Sequence, residues 1–393
     1  MFGFLKRKRK TLIGMDIGSN VIKCLRLDCK GKRPLITHFG MVPLPPEAIV
    51  DGEVMDRELV IQALIDCADK AGIPEEPVAS AVSGRALIVK KIVTDKMSHE
   101  DAREAIYWEA EQHVPFDIDD ITLDFQILQD DIGANQMEIL LVVAKKDMIF
   151  THAELLRDAG FEPLVIDVAS FANQNAWEYL RSYSEDAETE LEDATDDLNE
   201  HDAEVYDQIL ASGEGLEEGE FHQKSSGESV ALLDVGGGVT NVHIVKDGTP
   251  HFTRDLPVGT TNFIEEFQKQ LGLSYETACN VAMGNTEEVD EQLVSDIVRT
   301  VGTEIFQGLE PSLSYLKTSG EADGLDRIVL SGGGARLPGL LNYLAECYNV
   351  PGEIADPLSI MDYSPEIFDN EDPDVLSPML TVGVGLALRK AVE

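Results

Sequence analysis

The chain has 393 residues and carries 73 Asp and Glu against 31 Lys and Arg, a formal net charge of −42. That balance repels nucleic acid and an anionic membrane surface over most of the molecule, while 43% hydrophobic residues and this length suit two domains with packed cores. Five cysteines without a C-x-x-C pair give no basis for a disulfide framework or a zinc site and read as buried, reduced thiols of a cytosolic protein; no apolar run approaches the ~18 residues that span a bilayer.

Residues 1–10 form a tail in which Phe2, Phe4 and Leu5 precede five consecutive basic residues, too little apolar sequence for a signal peptide. In so acidic a chain this tail is either a weak docking element for the inner leaflet or a solvated end. Thr11 to Val42 reads as three strands, Asp56 to Ala71 as an amphipathic helix closed by Gly72, and Val78 to Val82 as a buried strand. Residues 83–144 read as an inserted lobe. Its strand Leu87–Thr94 is followed by a helix from Ser98 to about Val114 with Asp101 completing a capping box, then by two strands, Leu123–Leu128 and Met137–Ala144. A helix over 146–159, a strand over 162–168 and a helix over 169–183 complete the first half.

Between Arg181 and Lys224 there are 16 acidic residues and no basic one. Residues 184–228 are therefore predicted to be a disordered insertion, with one short helix near 205–210. The second half, 229–393, is predicted to hold strands at 231–235, 240–246 and 250–255, helices at 260–271 and 274–284, and a helical stretch over 286–316 interrupted at Gly302, Gly308 and Pro311. A strand at 327–331 runs into Gly332, Gly333 and Gly334 with a helix from about Pro338, and a closing helix covers 379–392.

One pattern organises the chain. Ala231–Val242 reads ALLDVGGGVTNV: a strand delivers Asp234 to its end, three glycines follow, and a second strand starts at Thr240. Leu12–Lys23 reads LIGMDIGSNVIK, placing Asp16 and Gly18 where Asp234 and Gly236 stand 218 residues later. Alone, either stretch is equally an ordinary glycine hairpin beside a strand-end Asp. Together with the strand–GGG turn of 330–340 they describe a duplicated half-molecule with anion-cradling turns.

This constellation resembles the actin-like ATPase superfamily, and within it the PilM family of type IV pilus assembly, along nearly the whole chain outside the acidic segment. The stretches SGRALIVKKIVTDKMSHEDAREAIYWEAEQHVPF, HFTRDLPVGTTNFIEEFQKQLGLSYETA and SPMLTVGVGLALR carry that narrower likeness. The resemblance implies an α/β fold of two actin-like halves (11–183 and 229–393) around a nucleotide cleft, with the FtsA/PilM-type lobe at 83–144. It implies ATP and Mg²⁺ as ligands. Gly18, Ser19 and Asn20 would face Gly236, Gly237, Gly238 and Thr240 across the phosphates. Asp16 and Asp234 would hold Mg²⁺ through water, and Gly332, Gly333 and Gly334 would cradle the adenosine. Lys23 either reaches a phosphate or is a surface lysine; Arg336 either stacks on the base or sits at the surface. At the start of the 169–183 helix, where relatives carry a water-orienting acid or amide, the chain has Ala169; Asp167 either substitutes or caps the helix, which makes the chain at most a weak ATPase. Cys279 and Ala282 replace a Glu and a Lys that face adenosine in FtsA-like relatives.

As partners the resemblance implies the N-terminal cytoplasmic peptide of a PilN-like bitopic membrane protein, taken in a groove beside the lobe, and other pilus platform proteins. The chain would sit in the cytoplasm at the inner-membrane periphery, with homo-oligomerisation left open. Two other classes remain: an FtsA-like filament-forming scaffold, whose usual amphipathic membrane helix is not seen before Glu393, and a small-molecule kinase, for which no catalytic base is identifiable.

Overall fold

A computed structural model describes residues 12–50, 52–73, 76–183, 227–287, 289–319, 324–369 and 371–389. The expectations for the basic tail and for most of the acidic insertion fall outside these residues.

The first sheet starts with an antiparallel meander of β1 (Ile13–Ile17), β2 (Val21–Asp28) and β3 (Leu35–Pro43). A two-residue ribbon, β4 (Ile49–Val50) with β5 (Glu53–Val54), leads to helix Arg57–Ala71. Asp56 caps that helix by accepting the Leu59 N–H at 3.0 Å, and Gly72 ends it in the left-handed region at φ 65°. β6 (Pro77–Val82) then runs parallel to β1. The second half repeats the scheme with β11 (Ser229–Val235), β12 (Thr240–Lys246), β13 (Thr249–Leu256), β14 (Arg327–Ser331) and β15 (Gly352–Ile354).

The inserted lobe is a three-stranded antiparallel sheet in the order β7 (Leu87–Asp95), β9 (Gln136–Lys145), β8 (Ile121–Gly133), with helix His99–Glu111 laid on one face through Ala102, Ile106 and Ala110. Its long hairpin is tighter than the sequence suggests. Only Ala134 and Asn135 turn, both at positive φ (55° and 59°); β8 runs on to Gly133, with its register against β9 shifting between Gln129 and Gly133. After helix Lys146–Asp158, β10 (Glu162–Val168) completes the first half's core sheet.

The order in that sheet is β10-β6-β1-β2-β3, and in the second β15-β14-β11-β12-β13. These are the same arrangement twice, one central strand with a meander on one side and two parallel strands on the other. Helix Ala169–Ser182 crosses between the halves, with Ala172 and Ala176 toward the first and Trp177 buried against Val230, Leu232 and Val329 of the second.

Two features differ from the expectation. The helical stretch is one continuous helix, Glu291–Ser319. Gly302 lies against Leu340 and Tyr343, and Gly308 against Leu256, so these glycines permit close packing and do not interrupt the helix. Second, the end of the chain leaves the second half. β16 (Asp362–Tyr363) pairs with β3, and Leu376, Leu380 and Val384 share a core with Leu25, Leu27 and Phe39. The closing helix is also shorter, Thr381–Ala387. Of the cysteines, Cys24 and Cys67 are buried side by side with sulfurs 3.4 Å apart, while Cys29 and Cys347 are exposed.

Candidate functional site

The two acidic hairpins face each other. In each, the glycine two residues after the Asp closes the turn with the same backbone bond, Gly18 N–H to Val21 O at 3.2 Å and Gly236 N–H to Val239 O at 2.9 Å. Asn20 lies over Gly237, where a Cβ would fall 2.5 Å from the Asn20 Cγ, and Ser19 lies beside Gly238. Asn20 also reaches Thr261 Oγ1 at 3.4 Å, at the head of helix Thr260–Leu271. The carbonyls of Gly236 and Gly237 accept the first two N–H groups of that helix, each at 2.9 Å, which fixes the second hairpin on a helix end.

Behind the turns, Asp16, Lys23 and Asp234 share one crevice. The Lys23 ammonium is 2.7 Å from the Asp16 carboxylate and donates to the Met379 carbonyl at 2.9 Å. Burial pushes the Asp234 pKa up to about 6; the Lys23 charge and a bond from Ser331 pull it down, and the Asp16 charge pushes it up. Ser331 Oγ donates to Asp234 Oδ1 at 3.2 Å and accepts from Asn173 Nδ2 at 3.1 Å. Gly332, at φ 77°, has its Cα so close to Asp234 that a Cβ would fall 2.5 Å from Oδ1. Asn241, opposite Asp234 on the neighbouring strand, instead holds Asp255 at 2.6 Å. Asn173, Ser331, Asn241 and Thr261 were not singled out from the sequence. Ser331 had one signal, adjacency to the glycine run; Asn173, within the predicted 169–183 helix, had none.

Four expected residues take other places. Thr240 is fully buried and its hydroxyl donates to Val258 O at 2.6 Å; the strand's alternation turns it to the core, as it does Ile22 in the first hairpin. Asp167 pairs with Arg389 at 2.6 Å and accepts its neighbour's Val168 N–H at 2.8 Å, so its carboxylate is occupied and is not the cap of the crossing helix, whose cap is Val168. Arg336 is tied down at the surface, its Nη1 donating to the Asp374 carbonyl at 3.0 Å. Gly334 is packed on Val235, leaving Gly333 as the member of the triplet that opens to space.

The donor set fits Mg²⁺. The Asp16 charge lies close enough to push the Asp234 pKa up, a repulsion that a hard cation relieves. Mg²⁺ uses one or two carboxylates and completes its shell with water and phosphate. Among the described residues no group of three or more His, Cys, Asp or Glu side chains gathers as a cage.

Two copies of one five-strand scheme, hairpin facing hairpin across a shared acidic crevice, define an actin-like α/β fold. The family described as type IV pilus assembly protein PilM matches residues 14–205 and 190–391, and the chain belongs to that family. A chain of a solved PilM-PilN type IV pilus biogenesis complex superposes with a TM-score of 0.74 at 23% identity, covering 97% of this chain and 98% of that one, a likeness of fold. Cell division protein FtsA of Borreliella burgdorferi is 24% identical over 185 residues, 41% of this chain and 42% of its own length. FtsA of Pseudomonas aeruginosa is 24% identical over 184 residues, 40% and 41% of the two chains. The match thus spans about two fifths of these curated relatives.

Proposed function

We propose that the chain is an ATP-binding adaptor of the type IV pilus inner-membrane platform that docks the N-terminal cytoplasmic peptide of a PilN-like membrane protein. The observation that carries the nucleotide half is the crevice itself: Asp16, Lys23 and Asp234 held together behind two facing glycine turns. Backbone N–H groups of residues 18–20 and 236–238 would meet the phosphates, with Lys23 as a point charge. Asp16 and Asp234 would hold Mg²⁺, which supplies countercharge to the triphosphate. The ion pair that occupies Asp167 supports an ATP-binding role with weak turnover.

The partner half rests on the lobe. Trp108 is 75% exposed beside exposed Tyr107. At the lobe's root a cavity of about 250 Å³ is lined by Asp120, Lys145, Lys146, Asp147 and Phe150. β7 and β8 are the lobe's sheet edges, to which an extended peptide adds by strand pairing. Through that peptide the chain would lie at the inner-membrane periphery; no described helix is long and apolar enough to cross a membrane.

The test is thermal. Mg·ATP should raise the melting temperature of the unaltered chain and leave that of Asp16→Ala unmoved; an equal shift in both sinks the site. A fluorescent peptide copying the partner's N-terminal tail should bind with or without turnover, and Phe150→Ala should weaken it about tenfold. Pelleting with Mg·ATP in place of peptide binding would favour an FtsA-like scaffold.

A further inference from the structure

The duplicated halves hold their two carboxylates by different means. On the first hairpin Asp16 faces Lys23 across the strand pair and is ion-paired to it at 2.7 Å. The residue in Lys23's place on the second hairpin is Asn241, which turns away to Asp255. Asp234 therefore has no cation from its own hairpin, and its fixed partner is a hydroxyl from the neighbouring strand. Ser331 is 1% exposed and Asn173 3% exposed, so each polar group must find its partner inside the protein. Asn173 has N–H groups to give, and the Ser331 oxygen accepts one at 3.1 Å; the single Ser331 proton is then left for Asp234 Oδ1 at 3.2 Å. Gly332 closes the other side of the same oxygen.

We propose that Ser331 and Asn173 are positioning residues that present Asp234 as the main cation-holding carboxylate, while Asp16 chiefly serves to hold Lys23 toward the phosphates. This rests on the nucleotide reading of the crevice. A cation approaching Asp16 competes with an ammonium already at 2.7 Å. A cation approaching Asp234 meets a carboxylate aligned by a neutral hydroxyl, with no ammonium from its own hairpin to displace. Because Asn173 belongs to the helix that crosses between the halves, the alignment of Asp234 depends on how that helix is seated on the second sheet.

The experiment measures the Mg²⁺ concentration giving half of the ATP-induced melting shift, at fixed ATP, for the full chain, Ser331→Ala, Asn173→Ala and the double variant. Support residues of metal ligands typically contribute 10–100-fold to metal affinity. Ser331→Ala should raise the Mg²⁺ requirement about tenfold, leaving the small shift given by ATP in EDTA unchanged. Asn173→Ala should raise it less, and should add nothing in the Ser331→Ala background. If Ser331→Ala does not fold, Asn173→Ala decides alone, because it acts only through the serine. A Mg²⁺ requirement unchanged in the folded variants, or additive effects in the double variant, overturns the relay. No Mg·ATP shift in the unaltered chain overturns the nucleotide reading and the relay with it.

Discussion

His243 has no exposed surface, and both ring nitrogens are engaged. Gln174 Oε1 lies 2.7 Å from Nε2, and Thr253 Oγ1 2.7 Å from Nδ1. Gln174 spends its amide N–H groups on the Gly248 carbonyl and Glu178, so the ring donates through Nε2 and accepts at Nδ1. Burial pulls its pKa down to about 3, against 6.5 for an ordinary histidine, so the folded state keeps it neutral. Its contribution is therefore intact above pH 6.5 and is lost as pH falls from 6.5 toward 3, at about 1.4 kcal/mol per pH unit. His152, pulled down to about 4 by burial, acts in the same sense; Asp234, raised to about 6, acts in the opposite one. The difference between chains isolates the histidine: urea unfolding of His243→Gln across pH 4 to 6.5 should show a slope smaller by about one proton. An identical slope would mean that His243 titrates alike in both states. None of this was visible in the sequence, where His243 is one polar residue in a β-strand. Asp16 and Asp234 were visible, because an Asp before a glycine turn, repeated in both halves, is a pattern of residue types. The role expected of Thr240 failed because a hydroxyl's usefulness depends on which face of a strand it occupies.

At the scale of elements, the closing helix Thr381–Ala387 is fixed by contacts that leave no room for a side chain. A Cβ on Gly385 would lie 1.7 Å from the Ala172 carbonyl oxygen of the crossing helix. That oxygen is backbone and cannot rotate away, so Gly385→Ala must push two buried helices apart and should cost about 3 kcal/mol. Gly383 is the control. Its Cβ would meet Leu25 Cδ2 at 3.0 Å, the end of a side chain that can change rotamer, and Gly383→Ala should cost about 1 kcal/mol or less. Chemical denaturation midpoints compare the two, and equal losses would mean the helix crossing is looser than described. The elements themselves were largely legible: strand alternation, capping residues at Asp56 and Ser98, and the stop at Gly72 place them. The allegiance of this last helix was not. All seven of its residues are buried, so its sequence has no polar face to say which half it covers. The ion pair of Asp167 was hidden for a related reason: its partner Arg389 lies at the far end of the chain.

For the whole molecule, the acidic insertion predicted from the sequence has no basic residue between Arg181 and Lys224 to offset its 16 carboxylates. Arg181 and Glu228 flank it, and they meet as an ion pair at 3.0 Å, with Glu228 held also by Arg327 at 3.0 Å. The crossing helix therefore delivers the chain to a point beside the start of β11, and about six residues, able to span ~20 Å, suffice to join Tyr183 to Gly227. For a connection with no structure of its own, as the sequence predicts here, a several-fold shortening lowers the closure entropy by about 1 to 2 kcal/mol. The exchange also removes 16 carboxylates from a chain of net charge −42, which relieves self-repulsion. Replacing residues 184–226 by about six Gly and Ser residues should thus hold or raise the melting temperature and leave the Mg·ATP shift unaltered, since Asp16, Lys23 and Asp234 lie on β1, β2 and β11. A fall of more than a few degrees would show that the segment packs on the halves it joins. A lost Mg·ATP shift at unchanged melting temperature would show that it reaches the crevice. With the fold and the shift both retained, any change in partner-peptide binding is then attributable to the segment itself.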